Sequence, residues 1–183
     1  MLTINQLNNL RDAATHAHSC ELVSKVPSEL IIPQWALESG WGAHSPGNNC
    51  FGIKEYQNCY GRQLLYTREY FTDEELYVWL RSKQGRSAEL ENGDPDSNGR
   101  KRYKCRDYFA TFQTLAHCFM KRAELFHTAR YQPALNQYIQ SQNFVVFVQA
   151  IAKDYATDPK YSDVILELAS MPEVQAAIKE NRG

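Results

Sequence analysis

Helical spacing of apolar residues runs through both ends of this 183-residue chain and breaks down between residues 50 and 110, which narrows the folds open to it. Thr3 to Val23 carries Leu7, Leu10, Ala14 and Ala17 at helical spacing. Ser28 reads as the N-cap of a second helix ending near Ser39, with Leu30, Ile31, Trp35 and Leu37 available for a core. Pro33 lacks an N–H and moves the expected start of that helix toward Ile32. The helical pattern returns over 114–126, 131–139, 143–155 and 161–168, and Pro172 opens another short helix. Between these regions the pattern changes. Residues 45–49 (Ser-Pro-Gly-Asn-Asn) form a turn cluster, Phe51 to Tyr70 holds short extended pieces around Gly61, and Arg100 to Phe109 alternates as a strand does. Thr72 caps a short helix over Asp73 to Leu80, with Glu75 placed for a capping box. Glu91 to Gly99, dense in turn formers, reads as an exposed loop. The expected fold is α+β and mostly helical: one domain over 1–183 with an irregular β-lobe inserted at about 50–110.

The most informative chemistry lies at the end of the second helix, in Trp35-Ala-Leu-Glu38-Ser-Gly-Trp-Gly42. A carboxylate there meets the unfavourable end of the helix dipole, and the apolar company desolvates it. Both effects raise its pKa toward the range of a general acid. Cleavage of a glycosidic bond needs such an acid and commonly a second carboxylate. The plainer reading of Glu38 is a side chain that caps or salt-bridges the helix end. For the second carboxylate the chain offers Glu69, set among aromatics in an extended segment, and Glu89 or Glu91 beyond it. The plain alternative for Glu69 is an ion pair with neighbouring Arg68. Asn48, Asn49, Phe51 and Gly52 can form a cleft floor, or a tight turn with Phe51 in the core. Tyr155 closes a helix as a core residue or a sugar-facing hydroxyl, and Asp158 can cap the helix that follows.

Lys+Arg number 20 and Asp+Glu 21, a net charge of -1 that disfavours a general nucleic-acid partner. Tyrosines number 11, enough to line a sugar cleft as well as a core. Among the five cysteines, Cys50 and Cys59 are close enough in sequence to close a small loop, with free buried thiols as the alternative. His16, His18 and Cys20 alternate, but His18 points away from the face shared by His16 and Cys20, so no metal is expected, and no cofactor fingerprint is present. No 18-residue apolar stretch exists for a membrane span. Met1 to Cys20 lacks the apolar centre of a signal peptide, so export is expected to depend on lysis, a dedicated secretion machine or a precursor segment.

Five blocks of the chain, spanning about Val26 to Leu168, carry a family resemblance: residues 34–42 (Gln-Trp-Ala-Leu-Glu-Ser-Gly-Trp-Gly), 47–54 (Gly-Asn-Asn-Cys-Phe-Gly-Ile-Lys), 67–70 (Thr-Arg-Glu-Tyr), 108–112 (Tyr-Phe-Ala-Thr-Phe) and 155–159 (Tyr-Ala-Thr-Asp-Pro) with Tyr161. Together they resemble the glucosaminidase domains of glycoside hydrolase family 73, bacterial and phage peptidoglycan hydrolases. The resemblance implies a lysozyme-like fold with Glu38 as general acid. It implies hydrolysis of the β-1,4 bond between N-acetylglucosamine and N-acetylmuramic acid, with peptidoglycan glycan strands as partner and the cell wall, periplasmic or extracellular, as place of action. Glu69 matches the family's second carboxylate and Tyr155 its tyrosine near the acid. Asn49 and Phe51 match its cleft residues, and Trp41, Asn48 and Gly52 are expected to bind substrate beside them. A longer insertion from Phe71 to Gly99 departs from the family, and a rival alignment makes Glu89 the second carboxylate. A lytic transglycosylase on the same polymer, or a non-catalytic wall-binding module, are the alternative functions, and a monomer is expected.

Overall fold

A computed structural model of the chain describes residues 1–155 and 160–183, the side chains of 154 and 155 lying outside the description. The fold is α+β and mostly helical, in two compact units: Met1–Gly52 with Phe112–Gly183, and Ile53–Thr111.

The first unit is helical. Helix α1 (Ile4–Ser24) starts at Thr3, whose side chain and that of Gln6 form a capping box. It buries Leu10, Ala13, Ala14, Ala17 and Cys20, one helical face. Helix α2 (Ser28–Ser39) buries Ser28, Leu30 through Ala36 and Ser39, as expected of a helix surrounded by others. Around it pack α1, α4 (Leu115–Glu124), α7 (Tyr161–Ser170) and α8 (Pro172–Arg182), while α5 (Gln132–Ser141) packs on α6 (Phe144–Tyr155).

Two expectations for α2 are corrected. The helix begins at Ser28 and not near Ile32, with Pro27 as N-cap and Pro33 inside. Pro33 is the sixth helical residue, so its missing N–H forfeits one bond, to the Glu29 carbonyl, and burial on all sides outweighs that loss. Ser28 does not cap; its hydroxyl donates to Glu21 Oε2 at 2.7 Å.

The second unit is a three-stranded antiparallel sheet in the order β1–β3–β2, from β1 (Gly61–Phe71), β2 (Ser87–Leu90) and β3 (Lys101–Thr111). The short extended pieces expected around Gly61 are one continuous strand, paired with β3 from Gly61↔Thr111 to Phe71↔Lys101. Helix α3 (Asp73–Ser82) follows β1 and is capped reciprocally by Thr72 and Glu75. Along β3 the odd positions Tyr103, Cys105, Asp107 and Phe109 are buried and the even positions Arg102, Lys104 and Arg106 are exposed, the period-two pattern of a half-buried strand.

All five cysteines are free. Cys50 does not bond Cys59: it is buried with its sulfur 3.6 Å from that of Cys118, whereas Cys59 lies in a turn closed by its N–H to the Tyr56 carbonyl at 3.3 Å.

Candidate active site

Glu38 and Leu37 are the exposed end of an otherwise buried helix. The way α2 stops explains the residues that follow. Gly40, Trp41 and Gly42 all adopt positive φ, at 58°, 60° and 82°. Ser39 Oγ donates to the Trp35 carbonyl at 2.6 Å and accepts the Gly42 N–H at 2.8 Å, tying the turn to the helix. Trp41 lacks glycine's conformational freedom. It is held by Asn9, whose Nδ2 donates to its carbonyl at 2.9 Å, and by an edge-on contact with Trp35 at 6.2 Å.

The Glu38 carboxyl has solvent on one side and protein on the other. Crowding by protein atoms lifts its pKa above the ordinary carboxylate range, and the nearby Arg122 guanidinium pulls the other way without cancelling the lift. The residue is exposed, yet enough protein surrounds its carboxyl to raise the pKa. Gly52, with φ of 59°, faces this group: a Cβ there would lie 3.7 Å from Glu38 Oε2.

Beneath Glu38 runs a buried polar chain that the sequence reading did not single out. Arg122 Nε donates to Gln34 Oε1 at 3.0 Å, and Gln34 Nε2 donates to the Tyr161 hydroxyl at 2.7 Å. Burial pushes the Tyr161 hydroxyl up to about 12, with the Gln34 hydrogen bond and Arg122 opposing. The Arg122 guanidinium also lies 5.3 Å from the Phe51 ring centroid. A signal for Arg122 exists in the sequence, since it occupies the same apolar helix face as Phe119, Ala123 and Phe126.

The other expected residues of this unit fall as follows. Phe51 is buried edge-on against Phe119 at 5.0 Å, and Asn49 is buried with Oδ1 at 4.0 Å from Cys118 Sγ. Asn48 Nδ2 donates to the carbonyls of Phe112 at 2.9 Å and Gln113 at 3.3 Å, so its donor capacity serves the loop. Trp41 is half-exposed. Tyr155 ends α6, but its side chain and Asp158 lie outside the described residues. His16 packs on Phe119 with centroids 5.5 Å apart, and His18 Nδ1 is 3.9 Å from Glu21 Oε2.

In the second unit Glu69 is ion-paired, though not with Arg68. Adjacent strand residues face opposite ways, so Arg68 meets Glu91 at 3.1 Å while Glu69 Oε1 meets Lys54 Nζ at 2.6 Å. Lys54 also reaches Asp107 Oδ2 at 3.0 Å, and Arg86 Nε donates to Asp107 Oδ1 at 2.7 Å. Burial raises the Asp107 carboxyl, but the hydrogen bonds from Lys54, Arg86 and the Tyr108 N–H outweigh it and hold the pKa below the usual value. Glu89 sits across from Lys104, which pairs with Arg68, whereas Glu69 pairs with Tyr103. The two rivals for second carboxylate therefore project from opposite faces of the sheet.

Among the described residues no three His, Cys, Asp or Glu side chains gather as a metal requires, and no helix is long and apolar enough to cross a membrane.

The glucosaminidase family, described as mannosyl-glycoprotein endo-beta-N-acetylglucosaminidase, matches residues 14–172. The chain belongs to this family. Solved structures share its lysozyme-like fold. A mutant peptidoglycan hydrolase from Sphingomonas sp. A1 is 22% identical, with a TM-score of 0.59 over 93% of this chain and 97% of that one. The catalytic domain of the autolysin Auto from Listeria monocytogenes is 17% identical, with a TM-score of 0.60 over 100% and 87%. The glycoside hydrolase domain of FlgJ from Salmonella typhimurium is 21% identical, with a TM-score of 0.58 over 96% and 91%. No curated protein matches in sequence.

Proposed function

We propose that this chain, acting as one domain, is an endo-β-N-acetylglucosaminidase that hydrolyses the β-1,4 bond between N-acetylglucosamine and N-acetylmuramic acid in peptidoglycan, outside the cytoplasm. The observation that carries the reading is Glu38: an exposed residue with a raised pKa at the C-terminal end of a buried helix, facing Gly52. Membership of a glucosaminidase family supports the bond type, and the peptidoglycan hydrolases among its structural relatives support the polymer.

In this mechanism Glu38 gives its proton to the glycosidic oxygen as the bond from the sugar carbon breaks. Positive charge grows on that carbon and on the ring oxygen. Glu69 stabilises it, or takes a proton from the water whose oxygen bonds to the carbon. Ion pairing with Lys54 requires Glu69 as the carboxylate, the form both roles need. Arg122 sets how far the Glu38 pKa rises: its positive charge restrains the lift from desolvation. Tyr155, Trp41, Asn48, Asn49 and Phe51 complete the proposed site around the sugar.

Digestion of purified sacculi, with mass spectrometry of the released fragments, tests this. A reducing N-acetylglucosamine end is the expected product. A 1,6-anhydromuramyl end would make the protein a lytic transglycosylase, and sacculus binding without new ends would make it a wall-binding module. The Glu38→Gln protein is expected to stay folded and lose activity by about 100-fold or more.

A further inference from the structure

Cys50 and Cys118 are both buried, and their sulfurs lie 3.6 Å apart although 68 residues separate them in the chain. Neither sulfur has a part in the proposed chemistry. A disulfide holds its sulfurs at about 2.05 Å, and a modest rotation of either side chain closes the difference. The three remaining thiols are placed differently. Cys20 and Cys105 are buried and pushed up to about 11, chiefly by desolvation. Cys59 sits in its own turn.

We propose that Cys50 and Cys118 form a disulfide in an oxidising compartment, and that this link clamps the 49–52 turn onto α4 beside Glu38. Cys50 donates its S–H to Cys118, and that hydrogen bond draws the Cys118 pKa down while it pushes the Cys50 pKa up. In this scheme Cys118 acts first. Its thiolate attacks one sulfur of a small-molecule disulfide such as glutathione disulfide and releases one thiolate. Cys50 then loses its proton, attacks the Cys118 sulfur of the mixed disulfide and releases the second. Two protein thiols become one disulfide, and one glutathione disulfide becomes two glutathione thiols.

The link ties down both sides of the Glu38 carboxyl. Gly52, where a Cβ would meet Oε2 at 3.7 Å, is two residues beyond Cys50. Arg122, the cation that restrains the Glu38 pKa, is one helical turn beyond Cys118. In a reducing compartment noncovalent contacts hold these parts, among them the edge-on Phe51–Phe119 contact and the Arg122–Gln34 hydrogen bond. The compartment follows from the proposed function, but bond formation does not, so thiol mapping decides it without any activity measurement.

The test is to treat the folded full-length chain with glutathione disulfide, denature it, alkylate with iodoacetamide and weigh it. Three of the five cysteines are expected to take the label, and peptide mapping is expected to join Cys50 to Cys118. The melting temperature should rise by roughly 5–15 °C and fall back with dithiothreitol. Cys59→Ser should keep the link and Cys118→Ser should lose it. Labelling of all five after oxidation, glutathione adducts without a cross-link, or a link through Cys59 would overturn the proposal, and the wild-type map decides even if Cys118→Ser fails to fold.

Discussion

Alanine at each of two glycines near Glu38 should produce opposite failures. Both positions hold positive φ, 82° at Gly42 and 59° at Gly52, so either alanine costs about 1–2 kcal/mol in backbone strain. At position 42 the new Cβ would lie 2.9 Å from Asn9 Nδ2 and 3.0 Å from Trp35 Cζ2. Trp35 is buried and fixed in the core. Asn9 can swing away only by giving up its bond to the Trp41 carbonyl, about 1 kcal/mol, and the overpacking adds about 1–3 kcal/mol. Gly42→Ala should therefore cost about 3–6 kcal/mol, a large share of the roughly 5–15 kcal/mol by which domains are stable. At position 52 the Cβ meets only Glu38 Oε2, at an ordinary 3.7 Å. Its stability cost should stop at the strain of about 1–2 kcal/mol. The methyl group crowds the oxygen that must reach the substrate, and kcat should fall about 100-fold. Urea unfolding followed by circular dichroism measures the first effect, and release of reducing ends from purified sacculi measures the second. An unchanged unfolding midpoint for Gly42→Ala, or a full rate for Gly52→Ala, would refute the reasoning.

A general acid must carry its proton, so activity should fall with rising pH through the raised pKa of Glu38, and a pH–rate profile measures that limb. Ionising Glu38 costs more in the folded chain than in the unfolded one, so its contribution to stability declines as pH rises from 4.5 through the folded value, and Glu38→Gln should be the more stable protein above that window in urea titrations. Glu69→Gln should lower kcat by about 100-fold while Glu89→Gln leaves the rate near wild type; the reverse pattern would make Glu89 the second carboxylate. Asp107→Asn leaves two cations without their buried partner and should destabilise by about 3 kcal/mol in urea unfolding. The depressed Asp107 pKa contributes stability above 3.8 that disappears as pH falls through the lower folded value, which acid unfolding of the wild type would show.

Residues whose role is set by near neighbours were legible in the sequence. Thr72 announces its helix because a cap is decided within four residues, and Gly40 and Gly42 mark the end of α2 for the same reason. The place of Glu38 in the last turn of that helix is legible in the same way. Pro33 misled because its local cost is real, and only burial of α2 on all sides, a tertiary fact, offsets it. Arg68 misled as a partner for Glu69 because adjacency along a strand separates side chains onto opposite faces. The Arg122–Gln34–Tyr161 chain joins residues 88 and 127 positions apart, and no local pattern encodes such a meeting. Cys50 makes the same point: the thiol nearest in sequence is not the one it touches.

The backbone leaves the helical unit after Gly52 and returns at Phe112, and that return is stitched within the unit itself. The Phe112 N–H donates to the Gly47 carbonyl at 2.8 Å, and Asn48 Nδ2 donates to the Phe112 carbonyl at 2.9 Å. The inserted unit is fastened at its own base by the Ala110 N–H to the Ile53 carbonyl, at 3.0 Å. Each piece thus seals its own stump. Such a join lets evolution lengthen or trade the β-lobe while the helix that carries Glu38 keeps its setting.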